Sequence, residues 1–195
     1  MTKRLWYLLI VLGVPLAGAT RTPEAPAVIK AKCSVCHGDA GETASEDFPR
    51  LSGQHEAYLA KQLQDFKAGR RTGLMVRQAK GLSDADIAAI AAYFAAQPVP
   101  APTAQPSVQA AAGRTLFVNG KSGGTPACLV CHGEAAHGTA QLPRLAGQHA
   151  DYLERQLKDF NLRKRTNDNA VMHAIAKRLT ELEMKAVAAY ISGLK

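Results

Sequence analysis

The sequence predicts an all-α chain made of two tandem domains. Three observations carry this. The chain repeats itself: CSVCH at residues 33–37 returns as CLVCH at 128–132, and PRLSGQH at 49–55 returns as PRLAGQH at 143–149. Apolar residues recur at helical spacing, while the alternation of a half-buried strand is nearly absent. A stretch rich in proline, QPVPAPTAQPS at residues 97–107, separates the copies.

The elements follow in order. Lys3 and Arg4 precede an apolar run over residues 5–16, and Ala17, Gly18 and Ala19 then supply the small residues of a cleavage site. This is the order of a cleavable signal peptide over residues 1–19, and the run is shorter than the ~20 residues that span a bilayer. The mature chain is expected to be exported and soluble. The first domain is expected over residues 20–96, the linker over 97–107 and the second domain over 108–195. Four of the ten prolines fall in the linker, which makes it extended and semi-rigid.

Within each copy a helix is expected over residues 55–68 and 149–162, with Leu59, Leu63 and Phe66 inward in the first. Ser83 with Asp86, and Thr180 with Glu183, form capping boxes that open the last helix of each domain. The faces that follow are Ile87, Ile90, Ala91 and Phe94 in one copy, and Met184, Val187, Ala188 and Ile191 in the other. Another helix precedes each pentad, most clearly over 109–118. The chain is 47% apolar and 21% charged, an ordinary globular balance, but only 6% aromatic. At about 80 residues per domain, an apolar core alone is marginal. Something else is expected to fill the middle.

The pentads say what. C-x-x-C-H is the attachment signal of a c-type haem. Each thiol adds across one porphyrin vinyl group, and the adjacent histidine supplies an axial nitrogen. Electron-transfer haems take methionine sulfur on the other side. Beyond the signal segment the chain has three methionines, Met75, Met172 and Met184. Met75 and Met172 are repeat partners, each expected in a loop before a capped helix. Met184 pairs with Ile87 on a core face. The expected thioethers are therefore Cys33, Cys36, Cys128 and Cys131, and the axial ligands His37 with Met75 and His132 with Met172. The rival readings are weaker. A disulfide within C-x-x-C closes a very short loop. A thioredoxin-like pair wants a βαβ setting. A zinc site made from both pentads leaves the paired methionines unexplained.

The two C-x-x-C-H-G motifs, the two P-R-L-[SA]-G-Q segments, the Y-L-x-x-Q-L-x-D-F helices and M-x-x-x-A-x-x-L before each last helix cover nearly the whole mature chain. In these the chain resembles cytochrome c4, the two-domain dihaem group of class I cytochromes c. One departure is the first helix, for which only residues 20–32 remain. The resemblance implies two class I cytochrome c domains, each wrapped round one covalently bound haem. It also implies a periplasmic electron carrier of a Gram-negative bacterium that passes electrons to a terminal oxidase or another respiratory acceptor. The alternative is an enzyme or a part of one: a dihaem peroxidase, or the cytochrome subunit of a flavin-containing sulfide dehydrogenase. A peroxidase needs one open iron, and both copies keep a methionine.

Other polar residues divide between surface and site. His55 and His149 open helices and are expected as surface or capping groups. His137 is expected in solvent. His173, next to Met172, is a second candidate ligand. Arg50 and Arg144, and Arg71 and Arg165, suit haem propionates or solvent equally. The formal charge is +8, and loss of Lys3 and Arg4 leaves 22 basic against 16 acidic residues. The excess, with Lys158 and residues 163–165, implies acidic redox partners such as a membrane-bound oxidase or reductase, or an anionic membrane surface. No aromatic residues interleave with the basic ones, so nucleic acid is not an expected partner.

Overall fold

The computed structural model describes residues 26–102 and 107–195; the expected signal peptide and residues 103–106 of the linker lie outside the described residues. Among the described residues, ten helices follow one another in two equivalent sets of five. The first set is α1 (Ala27–Lys32), α2 (Ser34–His37), α3 (Glu56–Lys67), α4 (Met75–Ala79) and α5 (Asp84–Ala95). The second is α6 (Val108–Asn119), α7 (Leu129–His132), α8 (Ala150–Asn161), α9 (Val171–Ala176) and α10 (Glu181–Ser192). Among the described residues there is no strand beyond an isolated bridge between Lys121 and Thr125. No described helix is long and apolar enough to cross a membrane.

Both capping boxes form. The Ser83 hydroxyl accepts from the Asp86 amide at 3.1 Å while the Asp86 carboxylate accepts from the Ser83 amide at 2.9 Å. Thr180 and Glu183 repeat this at 3.2 and 2.7 Å. Each box satisfies two backbone donors that a helix start otherwise leaves free. The faces behind them are buried as their spacing predicts: Ile87, Ile90, Ala91 and Phe94 in α5, and Met184, Val187, Ala188 and Ile191 in α10. Each set has its own core. Ile29, Leu59, Phe66 and Leu82 join the α5 face, and Leu116, Phe117, Leu153, Phe160 and Leu179 join the α10 face. Phe94 and Phe117 are fully buried, and burying a side chain of that size contributes about 3 kcal/mol.

The two sets differ at their first helix. The α6–α10 crossing in the second is so tight that a Cβ on Gly113 would stand 1.9 Å from the Ala186 carbonyl oxygen. The methionines also depart from expectation. Met75 and Met172 lie in the first turns of the short helices α4 and α9 rather than in open loops. In the second copy three additional residues make the difference: the Asp168 carboxylate accepts from the Ala170 and Met172 amides and so opens the turn.

The sets meet face to face through contacts that are reciprocal, as across a two-fold axis. The Arg71 guanidinium donates to Tyr152 Oη at 3.0 Å and to Gln156 Oε1 at 2.8 Å; Arg165 donates to Tyr58 Oη at 3.0 Å and to Gln62 Oε1 at 3.4 Å. Each of these arginines also stacks on a phenylalanine of its own set, Phe66 or Phe160, with its guanidinium carbon 4.6 or 4.5 Å from the ring centroid. His149 Nε2 donates to the Thr43 carbonyl at 2.8 Å, and His55 Nε2 to the His137 carbonyl at 2.7 Å.

Candidate functional site

Each pentad folds as a single helical turn, with Cys33 and Cys128 at the N-caps of α2 and α7. Residues i, i+3 and i+4 share a helix face, so this turn sets both thiols and the imidazole on one side. Gly38 and Gly133 end the turns with φ of 82° and 78°, a region that favours glycine. The loops then fold back: the Thr43 amide donates to the His37 carbonyl, and the Gly138 amide to that of His132.

Both imidazoles are buried. Burial holds each below its ordinary pKa, against an opposing pull from the Pro49 and Pro143 carbonyls. Both rings are therefore neutral at neutral pH, the form that ligates a metal. His37 Nδ1 lies 2.9 Å from the Pro49 carbonyl oxygen. It must carry the proton there, which leaves Nε2 with a free lone pair. The Pro143 carbonyl is the matching neighbour of His132, but His132 Nδ1 makes no hydrogen bond of standard geometry.

None of the four cysteines is paired in a disulfide. Burial raises the pKa of Cys33, and pushes that of Cys128 up to about 11. Before haem attachment such thiols would be neutral, unlike the activated thiolates of disulfide exchange. Cys33 and Met75 pack against one core, Cys128 and Met172 against the other. Among the described residues no three His, Cys, Asp or Glu side chains converge as a metal would require, and the pentads lie in different sets, so the structure gives the zinc alternative no support.

Two features fit a large apolar group with acidic substituents. Matching apolar side chains flank the donors and are exposed: Val35 (96%) and Val130 (70%) inside the pentads, Leu74 (68%) and Val171 (56%) next to the methionines. Two positions per set carry this apolar surface, and the pair next to the methionines, Leu74 and Val171, is surface that a bound apolar group would cover. Arg50 and Arg144 each bury an Nε with no partner, and neither forms an ion pair among the described residues. A buried guanidinium in that state is completed by a carboxylate.

Several polar residues depart from expectation. His149 is 4% exposed and bonds across the interface, so it is no surface group; neither it nor His55 caps its helix through the side chain. His173 Nδ1 is engaged with the Phe160 carbonyl at 2.9 Å. His137 is exposed but anchored, with Nε2 2.7 Å from the Lys195 carbonyl. Arg165 is buried between the sets and leaves the basic surface patch. Lys158 is shared by Glu154 and Glu181.

Fold and pentads together define a two-domain c-type cytochrome. The Cytochrome c family model matches residues 24–97 and again 110–195. The chain is 43% identical to cytochrome c4 of Pseudomonas aeruginosa over 201 residues, covering all of both chains. The crystal structure of reduced recombinant cytochrome c4 from Pseudomonas stutzeri superimposes with a TM-score of 0.80 at 41% identity, covering 84% of this chain and 93% of that one. A protein of Thiomonas intermedia described as a thiosulfate dehydrogenase electron acceptor is 37% identical, covering 93% of this chain and 84% of its own. The chain belongs to the cytochrome c4 family, and it carries two covalently bound haem c groups, one in each domain.

Sequence reasoning missed the interface polar residues: Gln54 and Gln148, Tyr58 and Tyr152, Gln62 and Gln156. The available signal was their repetition. Periodicity alone assigns polar positions on a helix to solvent.

Proposed function

We propose that the protein is a free electron carrier of the periplasm, exported by cleavage after Ala19, with its domains over residues 20–96 and 108–195 joined by a linker over 97–107. One observation carries the site assignment. In both domains the first cysteine of the pentad and a methionine of the following short helix edge the same apolar core. On this reading Cys33 and Cys36 bind one haem and Cys128 and Cys131 the other. His37 Nε2 and Met75 sulfur would hold the iron in the first domain, and His132 and Met172 in the second. Arg50 and Arg144 offer their free Nε–H groups to the propionates. Each bound haem supplies a one-electron ferric–ferrous couple. The protein's part is to hold the ligands on both sides, to keep water and substrates from the iron, and to join the two domains rigidly. The basic excess supports an acidic docking partner, such as a membrane-bound oxidase or reductase, and peripheral association with an anionic surface. The thiosulfate dehydrogenase electron acceptor relative favours a second acceptor role, in which this chain takes electrons directly from an enzyme.

The visible spectrum of the reduced protein with and without carbon monoxide tests the assignment. Two c-type haems that carbon monoxide leaves unchanged are expected. Met75→Ala and Met172→Ala should each open half of the signal to carbon monoxide. A wild-type protein of which half already shifts would make one haem a substrate site.

A further inference from the structure

One contact between the domains is made to a peptide group that already serves a histidine. The peptide joining Pro49 to Arg50 has two polar ends. Its carbonyl oxygen faces His37 Nδ1 at 2.9 Å, and its N–H donates to Gln148 Oε1 of the second domain at 2.9 Å. The mirror peptide joins Pro143 to Arg144, and its N–H donates to Gln54 Oε1 of the first domain at 2.8 Å. Both glutamines are buried and held on two points: Gln148 Nε2 donates to the Arg50 carbonyl at 2.9 Å, and Gln54 Nε2 to the Arg144 carbonyl at 2.8 Å. Each Oε1 also accepts from the amide of the following histidine at 3.0 Å. The amide planes are thus fixed, and neither glutamine can turn away.

We infer that Gln148 and Gln54 are positioning residues acting in trans, each tuning the axial histidine of the other domain through one peptide bond. An acceptor on the peptide N–H draws electron density through the conjugated amide onto its carbonyl oxygen. That oxygen becomes a better acceptor for the imidazole Nδ1–H, since hydrogen bonds in a chain strengthen one another. A more strongly held Nδ1–H makes Nε2 a more basic ligand, the usual way an outer partner adjusts a metal-bound histidine. A more basic ligand favours the ferric iron, so each glutamine lowers the potential of the haem it does not share a domain with. The two arms are unequal here. The His37 arm has standard hydrogen-bond geometry, whereas the Pro143 carbonyl acts on His132 from a less favourable geometry, so Gln148 has the larger effect.

This rests on His37 and His132 being the axial ligands. The test is Gln148→Met in the full dihaem protein, a change that keeps length and removes both polar atoms. Redox titration, with each haem followed by its own NMR signals, should show the first-domain haem shifting upward. The equilibrium for sharing one electron between the domains should move about threefold toward that haem. The His37 Nδ1 proton should move upfield. Gln54→Met should shift the second-domain haem, and by less. Arg71→Leu cuts other contacts of the same interface and should leave the His37 Nδ1 proton in place. Two outcomes overturn the inference: a Gln148→Met shift equal at both haems, or an unmoved His37 Nδ1 proton. If the wild-type His37 ring protons lack the large shifts of a haem ligand, the ligand assignment fails instead, and the two failures are told apart.

Discussion

Replacing Gly113 with alanine sets two effects of opposite sign against each other. Inside a helix, alanine is preferred to glycine by about 1 kcal/mol. The crossing of α6 on α10 opposes this. A Cβ at position 113 would lie 1.9 Å from the Ala186 carbonyl oxygen, 2.4 Å from its carbon and 2.9 Å from the Val187 nitrogen. These are backbone atoms, so no side-chain rotation relieves the contact. α10 is also held from behind by Met184, Val187 and Ile191 in the core, and the helices can part only by unpacking that face. Overpacking costs about 1–3 kcal/mol, and a backbone clash belongs at the top of the range. The net loss is about 2 kcal/mol, or about 10 °C in melting temperature for a domain of this size. Thermal unfolding of the holoprotein, followed by far-ultraviolet circular dichroism and by the haem signals of each domain, is the assay. The second domain should melt first. Ala112→Gly, at an exposed neighbouring position, calibrates the propensity term alone. An unchanged or raised melting temperature in Gly113→Ala would refute the close crossing.

Two further outcomes follow from caps and charges. Thr180→Ala removes the hydroxyl that accepts from the Glu183 amide and should cost about 1 kcal/mol; Thr180→Ser should restore most of it in the same melting assay. Burial alone would raise the Asp65 carboxyl, but Lys61, Asn167 and Arg70 outweigh it and hold it below its ordinary value of 3.8. A depressed carboxyl contributes stability that is full above its unfolded value and is lost as pH falls through the folded one. Asn167 belongs to the second domain, so the contact between domains should weaken as pH falls below about 4. Hydrogen exchange of α3 amides against pH checks this, and Asp65→Asn should flatten that dependence.

Helices and cores were legible because periodicity and capping boxes act locally. Ser83 and Thr180 satisfy their own helices whatever the rest of the chain does, and the faces behind them are buried in any compact fold. The pentads were legible for a covalent reason: two thiols and an imidazole share one side of a single turn. Face-to-face packing of the two copies was expected, but the residues that make the interface were not legible. Gln62 and Tyr152 read as the wet side of their helices, and Arg165 as a propionate partner or a solvated charge; only the other domain turns them inward. His149 was misread on the same ground, since a polar residue that opens a helix is usually solvated. The short helices at Met75 and Met172 were missed because each runs a turn or little more, below the length at which periodicity can be counted.

The duplication changes how the charge of the chain should be read. Composition gives the chain a net positive charge, and elementary electrostatics turns that into attraction for acidic partners. Yet Arg50, Arg71, Arg144 and Arg165 all point between the domains, and none forms an ion pair among the described residues. Two copies of one domain, meeting through the same face, bring the same cations together. Arg50, Arg71 and Arg165 avoid repulsion by spreading their donors over neutral oxygens: Tyr58, Tyr152, Gln62, Gln156 and the Gly147 carbonyl. Carboxylates supplied by a bound haem would be neutralised here rather than at the surface. The field a partner meets then comes from the exposed remainder, which includes Arg163 and Lys164 beside the interface. Docking should therefore respond to charge reversal at Arg163 and Lys164, and to ionic strength, far more than to changes in the four inward arginines.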